Sequence, residues 1–361
     1  MCQKQMVDRN ANGIVDVHVN NLRIRPVTQP LAQRCAELAL ELGLAPDGQV
    51  EKVTPLTGGV ASDIARVDLA GGPVVVKFAL PKLKVAEDWR APVHRNRAEY
   101  AWLTVAAQVA PDNAPRLFGR SDRLHGFAME YLAGDEVFLW KQALLQGRPP
   151  QAEAARVGDL LGRLHAASTA SGFDRGPFDN SDDFHALRLE PYLLFTASRH
   201  PDLAERLNGL AQAQYVARQV LVHGDVSPKN ILLRDGAPIL LDAECATMGD
   251  PSFDVSFCLN HLLLKAVHVP VLRDPLWKEA AALWKAYVPH VTWEDPAALG
   301  ARVAALLPAL FLARVDGKSP VEYLTAEGAE RVRSVARPLV ANPPACLGDL
   351  IETVRTKLSA R

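Results

Sequence analysis

Between the apolar runs Leu221–Val222 and Ile231–Leu233, the chain places a His, a Gly, an Asp and an Asn within the eight residues His223 to Asn230. Polar groups cost free energy to bury without partners. The stretch LVHGDVSPKNILL therefore demands a fold that brings partners to it, from the protein itself or from a ligand. His223, Asp225 and Asn230 stand at HxDxxxxN spacing. In phosphoryl transfer such an Asp orients or deprotonates an attacking hydroxyl, and the Asn carbonyl oxygen binds a metal ion. His223 reads as a structural residue bonded to the loop backbone. The plainer alternative is a polar β-turn in which Asp and Asn are only turn residues.

At 361 residues, with 48% hydrophobic and 22% charged residues, the chain is long enough for a large core and two lobes. The formal net charge of -1 points to neither a nucleic-acid nor a membrane partner. No uninterrupted apolar run of about 18 residues stands out as a membrane span, and the start, MCQKQMVDRNANG, lacks the apolar core of a secretory signal. The five cysteines (Cys2, Cys35, Cys245, Cys258, Cys346) form no CxxC pair. Reduced thiols and a cytoplasmic location are expected, and a zinc site is not.

The order of elements suggests an α+β, bilobal arrangement. Residues 1–30 read as an N-terminal extension. Residues 31–132 read as a small antiparallel-sheet lobe: a helix over Leu31 to Leu42 ended by Gly43, then strands QVEKVTPL, DIARVDL and PVVVKFAL, a helix near Val93 to Val109, and strands PRLFGR and GFAMEYL. Residues 133–361 read as a larger helical lobe, interrupted by strands QVLVHGD, ILLRD and PILLDAE, with an Asp235-Gly236 turn joining the last two.

Three further features fall in an informative order. LTGGVASDIARV, Leu56 to Val67, is a turn between strands in which Gly58, Gly59 and Ser62 are candidate phosphate contacts. Alone, this is equally a plain hairpin. Lys77 lies inside the strand VVVKFAL, where a Lys either snorkels outward or meets an anion, and Glu99 follows in the next helix. A Lys held by such a Glu reaches α/β-phosphates. Asp242 ends a second apolar strand, where a metal-binding carboxylate would face Asp225. Asp250 reads as a helix cap, Asp254 stands at a helix start, and Glu244 reads equally as a further metal or acceptor ligand or as a surface residue.

HGDVSPKNILL followed by LLDAE and GDPSFDVS resembles the aminoglycoside phosphotransferase/choline kinase superfamily, from about Val50 to the C-terminus. The resemblance implies a protein-kinase-like fold, with ATP and Mg2+ as cofactors. It also implies that Asp225 is the catalytic Asp, that Asn230 and Asp242 hold magnesium, and that Lys77 with Glu99 positions the phosphates. AMEYL, Ala128 to Leu132, is similar to the hinge whose backbone binds adenine, which implicates Glu130 and Tyr131. In the small lobe, VKFALPKLKVAEDWRAPVHRNRAE is similar to 5-methylthioribose kinases through Lys77, Trp89, Arg95 and Glu99. That family lacks an Asn where Asn230 stands, so the narrower similarity implies a sugar-like substrate more than that one activity. Protein kinase activity is disfavoured: Ser227 stands where such enzymes have Lys, and eleven residues between Asp242 and Asp254 leave no long activation loop.

These readings predict an ATP-dependent small-molecule kinase whose partner is a hydroxyl acceptor, in a monomer or homodimer. Beyond Val255, Lys and Arg outnumber Asp and Glu, which favours a neutral or anionic alcohol over a polycationic aminoglycoside. Arg314, Arg333 and Arg337 are candidate acceptor contacts, and LARVDGKSPVEYL could line the cleft. The alternatives are an aminoglycoside-type phosphotransferase, a methylthioribose kinase-like enzyme, a non-catalytic nucleotide binder, and a hydrolase using His223 and Asp225 as metal ligands.

Overall fold

Gly43 takes φ +70°, the left-handed conformation that lets a helix stop, directly after α1 (Leu31–Glu41). This is a computed structural model, and it describes residues 30–56, 62–82 and 92–359. Strands β1 (Lys52–Pro55), β2 (Ser62–Asp68), β3 (Val74–Ala79), β4 (Leu117–Ser121) and β5 (Gly126–Glu130) form one antiparallel sheet in the order β1-β2-β3-β5-β4. Every residue of the central β3 is buried. Because side chains alternate along a strand, Val74, Val76 and Phe78 pack with Cys35 and Leu38 of α1, in a core of their own. Val75 joins the main core on the opposite face, which is also the face of Lys77. Helix α2 (Arg95–Val109) lies between β3 and β4 in sequence.

The remainder is mostly helical: β6 (Val137–Leu139), α3 (Trp140–Leu145), α4 (Glu153–Ser168), α5 (Ser181–Phe184), α6 (Phe195–Arg199), α7 (Ala204–Val216), β7 (Val220–Val222), β8 (Ile231–Arg234), β9 (Ala237–Leu240), β10 (Thr247–Gly249), α8 (Ser252–His268), α9 (Arg273–Tyr287), α10 (Pro296–Asp316), α11 (Ala326–Ala341) and α12 (Leu347–Ser359). The β8–β9 hairpin turns at Asp235 and Gly236, both at positive φ (52° and 80°), as an Asp-Gly turn requires. Strands β6 and β10 are three residues each, too short to show a period, and they pair with β8 and β7.

The stretch FHALRLEPYLLFTASR, Phe184 to Arg199, is helical with one irregularity. From His185 to Leu194 the backbone widens into π-helix around Pro191. Proline has no N–H to donate, so the regular ladder cannot run through it. The Pro191 carbonyl instead accepts the Lys318 N–H at 2.9 Å. Helix α10 is long and apolar enough by composition to cross a membrane, although Arg302 interrupts its apolar run. Here it packs between α8 and α11 as a core helix.

Helices α4 and α9 approach closely because α4 carries Gly158. A Cβ there would lie 2.2 Å from the Leu283 carbonyl oxygen, and one at Gly162 would meet the His290 ring at 2.6 Å. Backbone cannot yield as a flexible side chain can. Gly158→Ala should therefore destabilise the fold by about 1–3 kcal/mol, the usual cost of overpacking, read as a lowered denaturant midpoint. An unchanged midpoint would contradict this packing.

Candidate active site

Lys77 sits in the middle of the sheet, paired in register with Ile64 and Phe127, and is only 3% exposed. A buried ammonium needs counter-charge. It has two: Glu99 Oε1 at 2.7 Å and Asp242 Oδ1, to which it also donates. Burial lowers the Lys77 pKa, but Asp242 and Glu99 outweigh it and push it above the ordinary value. Burial raises the Glu99 carboxyl against the pull of Lys77. For Asp242 burial also raises, yet Lys77 and Lys229 hold it well below the usual carboxylate range. Asp242 adopts φ +69°, a strained conformation for a side chain with a Cβ.

Helix α2 reaches the loop of Asp225 and the segment after β9 along one face. Arg95, fully buried, donates from Nε to Glu244 at 2.8 Å and from its other nitrogens to the Pro92 and Leu80 carbonyls. Glu99, one turn on, meets Lys77, and Trp102 stands edge-on to His223 with ring centroids 4.7 Å apart. Glu244 is thus a buried partner of Arg95, which removes the surface reading.

The loop itself is held from below by Asp254, fully buried in the first turn of α8, whose carboxylate accepts the His223 N–H at 2.6 Å and the Gly224 N–H at 2.8 Å. Asp250 caps the same helix by accepting the Ser252 N–H at 2.8 Å. His223 Nδ1 accepts the Asp225 N–H and Nε2 faces the Leu241 carbonyl. Burial keeps the ring neutral. Both nitrogens are committed to backbone, so His223 has none to give a metal and the hydrolase reading loses its ligand.

Asp225, 2% exposed, accepts from Arg188 Nη2 at 2.9 Å and lies 3.0 Å from Lys229 Nζ. Burial raises its pKa, but Lys229 and Arg188 more than offset this and hold the carboxyl below its ordinary value. Asn230 donates its amide to the Asp225 carbonyl at 3.1 Å, so its own carbonyl oxygen is the atom it can offer a cation. The Leu241 N–H on the Asn230 carbonyl, at 2.8 Å, ties the loop to the strand end that carries Asp242.

The structure thus brings Lys77, Glu99, Asp225, Asn230 and Asp242 into one hydrogen-bonded neighbourhood. Ser62 opens β2, opposite Ala79. Glu130 gives its carboxylate to Arg234 and the Arg116 N–H, and the Tyr131 ring lies under the Arg66 guanidinium at 4.7 Å. Gly58, Gly59 and Trp89 lie outside the described residues. Arg333 is tied to Asp316 and Glu330, and Arg337 to His200 and Asp202. Of the three candidate acceptor arginines, Arg314 alone lines the small cavity beside Lys229, together with Val321, Glu322 and Tyr323 of LARVDGKSPVEYL. Arg188 and Lys229 were not singled out from sequence. Arg188 is a lone cation in an apolar helical run, and that is its only sequence signal.

Residues 52–267 match the phosphotransferase enzyme family. A methylthioribose kinase of Yersinia enterocolitica is 24% identical over 254 residues, covering 63% of each chain. Another, of Erwinia tasmaniensis, is 28% identical over 243 residues, 59% of each. The aligned region spans less than two-thirds of the length of these curated relatives. A solved choline/ethanolamine kinase family protein of Mesorhizobium loti aligns with a TM-score of 0.52 at 16% identity, covering 90% of this chain and 99% of that one. That likeness is one of fold, which is kinase-like.

Two outcomes follow from the geometry. Arg188→Met leaves Asp225 with Lys229 as its remaining cation, so turnover should fall by about tenfold to a hundredfold through misplacement with little change in nucleotide KM. Arg188→Lys should recover part of it. His261, buried in α8, is held neutral well below the ordinary imidazole value by burial and by Arg314, Lys265, Lys229 and Lys141. The unfolded chain binds that proton and the folded one does not. Stability is therefore full above about pH 6.5 and falls as pH drops, by at most about 1.4 kcal/mol per pH unit for this group. His261→Phe should flatten that slope in thermal melts between pH 7 and 5.

Proposed function

The chain belongs to the phosphotransferase enzyme family, and we propose that it transfers the γ-phosphate of ATP to a hydroxyl of a small neutral or anionic sugar-like or alcohol acceptor. The observation that carries this reading is the buried Lys77 ammonium between Glu99 and Asp242, tied through residues 230 and 241 to the loop of Asp225. Lys77 is the cation for phosphate oxygens, and Glu99 keeps it charged and aimed. Gly58, Gly59 and Ser62 are the proposed backbone cradle, and Glu130 and Tyr131 mark the proposed adenine edge.

Asn230 and Asp242 would hold magnesium, which suits amide and carboxylate oxygens and, when bound, offsets the negative charge on the transferred group. Asp225 accepts a hydrogen bond from the attacking hydroxyl and fixes its direction. Its depressed pKa suits orientation more than strong basicity. Arg188, through its bonds to the Gly224 carbonyl at 2.5 Å and to Asp225, keeps that carboxylate from swinging.

A methylthioribose kinase-like activity is the second reading, supported by the sequence similarity to such kinases. An aminoglycoside acceptor is disfavoured, since the cavity beside Lys229 is lined by four cations, Lys141, Lys229, Lys265 and Arg314, against one carboxylate, Glu322.

A screen of phosphate transfer from ATP across sugars, hydroxy acids, amino alcohols and aminoglycosides, read by mass spectrometry, tests the proposal. Asp225→Asn should lower kcat by about 10²–10⁴, and Asp242→Asn should abolish magnesium-dependent turnover. Wild-type turnover in either purified variant would remove that residue from its role.

A further inference from the structure

Helix α8 is buried along nearly its whole length, and its sequence SFDVSFCLNHLLLKAVH ends with a lysine in an apolar run. Lys265 is 1% exposed and, among the described residues, its ammonium has no hydrogen-bond or ion-pair partner. Its ammonium faces the Tyr323 ring, 5.0 Å from the centroid. A buried ammonium with so little counter-charge is rare and costly. The same small cavity, about 40 Å³, is lined by Arg314, 8% exposed. Among the described residues, Arg314 bonds only neutral groups, the Tyr192 hydroxyl at 3.2 Å and the carbonyl and hydroxyl of Ser319, and its Nε has no partner. The buried Tyr323 hydroxyl has none either.

The other charges at the cavity are already matched. Lys141 pairs with Glu322, and Lys229 with Asp225. The neutral His261 adds no counter-charge. Two cations, Lys265 and Arg314, are therefore left without an anion, and burial with the neighbouring Lys141 and Arg314 pulls Lys265 down to about 7. The volume suits a head group and not a whole acceptor. Lys229 lines this cavity while its ammonium lies against Asp225, so the cavity opens beside the carboxylate proposed to orient the hydroxyl.

We infer that the acceptor carries an oxyanion, a carboxylate or a phosphate, that seats between Lys265 and Arg314 while its hydroxyl lies on Asp225. The inference rests on the kinase reading and narrows it from neutral or anionic to anionic. Arg314 supplies a planar fork and Lys265 a point charge, the pair of donors that suits an oxygen anion. Residues of both the matched range (Lys265) and the region beyond it (Arg314, Tyr323) build the seat.

The test compares matched acceptors with ATP and magnesium: glycerate with glycerol, gluconate with glucose, and ribose 5-phosphate with ribose. The anionic member of at least one pair should be favoured by about tenfold or more in kcat/KM, the effect of one charge-assisted contact, and which pair responds separates carboxylate from phosphate. Lys265→Met should erase that preference through KM, and Lys265→Arg should retain it. Preference for the neutral members, or a preference that survives Lys265→Met, overturns the inference while leaving the kinase reading intact. Should no pair accept phosphate, thermal shifts at constant ionic strength, with magnesium and a non-hydrolysable ATP analogue present, decide the seat alone. Saturable stabilisation by acetate or inorganic phosphate that is lost in Lys265→Met supports it, and no stabilisation overturns it. If Lys265→Met does not fold, Arg314→Gln takes its place with the same readouts.

Discussion

A single buried ammonium organises the site. Lys77 stands in the central strand of the sheet, where burial of its charge is tolerable only because Glu99 and Asp242 both reach it. Removing one partner of a buried pair leaves an uncompensated charge and typically costs about 3–5 kcal/mol. The pair with Glu99 is internal to the sheet-bearing part of the chain, but Asp242 belongs to the strand end tied to the loop of Asp225. The charge balance of the ammonium therefore links the two halves. A triphosphate arriving here would exchange partners with groups already in contact, so its affinity would reflect a difference between two satisfied arrangements.

The charge pattern sets the site and the small cavity beside it apart as two regions of opposite need. Around Asp225 and Asp242, carboxylates are answered by Lys77, Arg188 and Lys229. Beyond Lys229 the surplus reverses: Lys141, Lys265 and Arg314 stand around the one carboxylate of Glu322, which Lys141 already holds. An acceptor with a hydroxyl at one end and an oxyanion at the other complements both regions.

Much of this arrangement was legible in the chain. The β3 lysine follows a run of valines, the Asp235-Gly236 turn fixes a hairpin, and Gly43 ends a helix, because each rests on local periodicity or local backbone conformation. The HxDxxxxN spacing reads for the same reason: its residues share one loop. What escaped depends on distant partners. Arg188 acts on Asp225 across 37 residues, from a helix whose widening around Pro191 is a matter of tertiary packing. The pairing of Glu244 with Arg95 spans 149 residues, so composition could not choose between surface and interior for that carboxylate. Lys265 did leave a local trace, a charge in an apolar helix, but its meaning appears only once Arg314 and Tyr323 stand beside it. Strands β6 and β10 are too brief for any period to show.

Helix α2 offers Arg95, Glu99 and Trp102 from one face within two turns, to Glu244, Lys77 and His223 respectively. A helix of 15 residues is a stiff rod, so these three attachments cannot be adjusted independently. Any tilt large enough to release the guanidinium also disturbs the ammonium and the indole. One stiff rod thus carries two bridges to the helical half, Arg95 to Glu244 and Trp102 to His223, and the brace that aims Lys77.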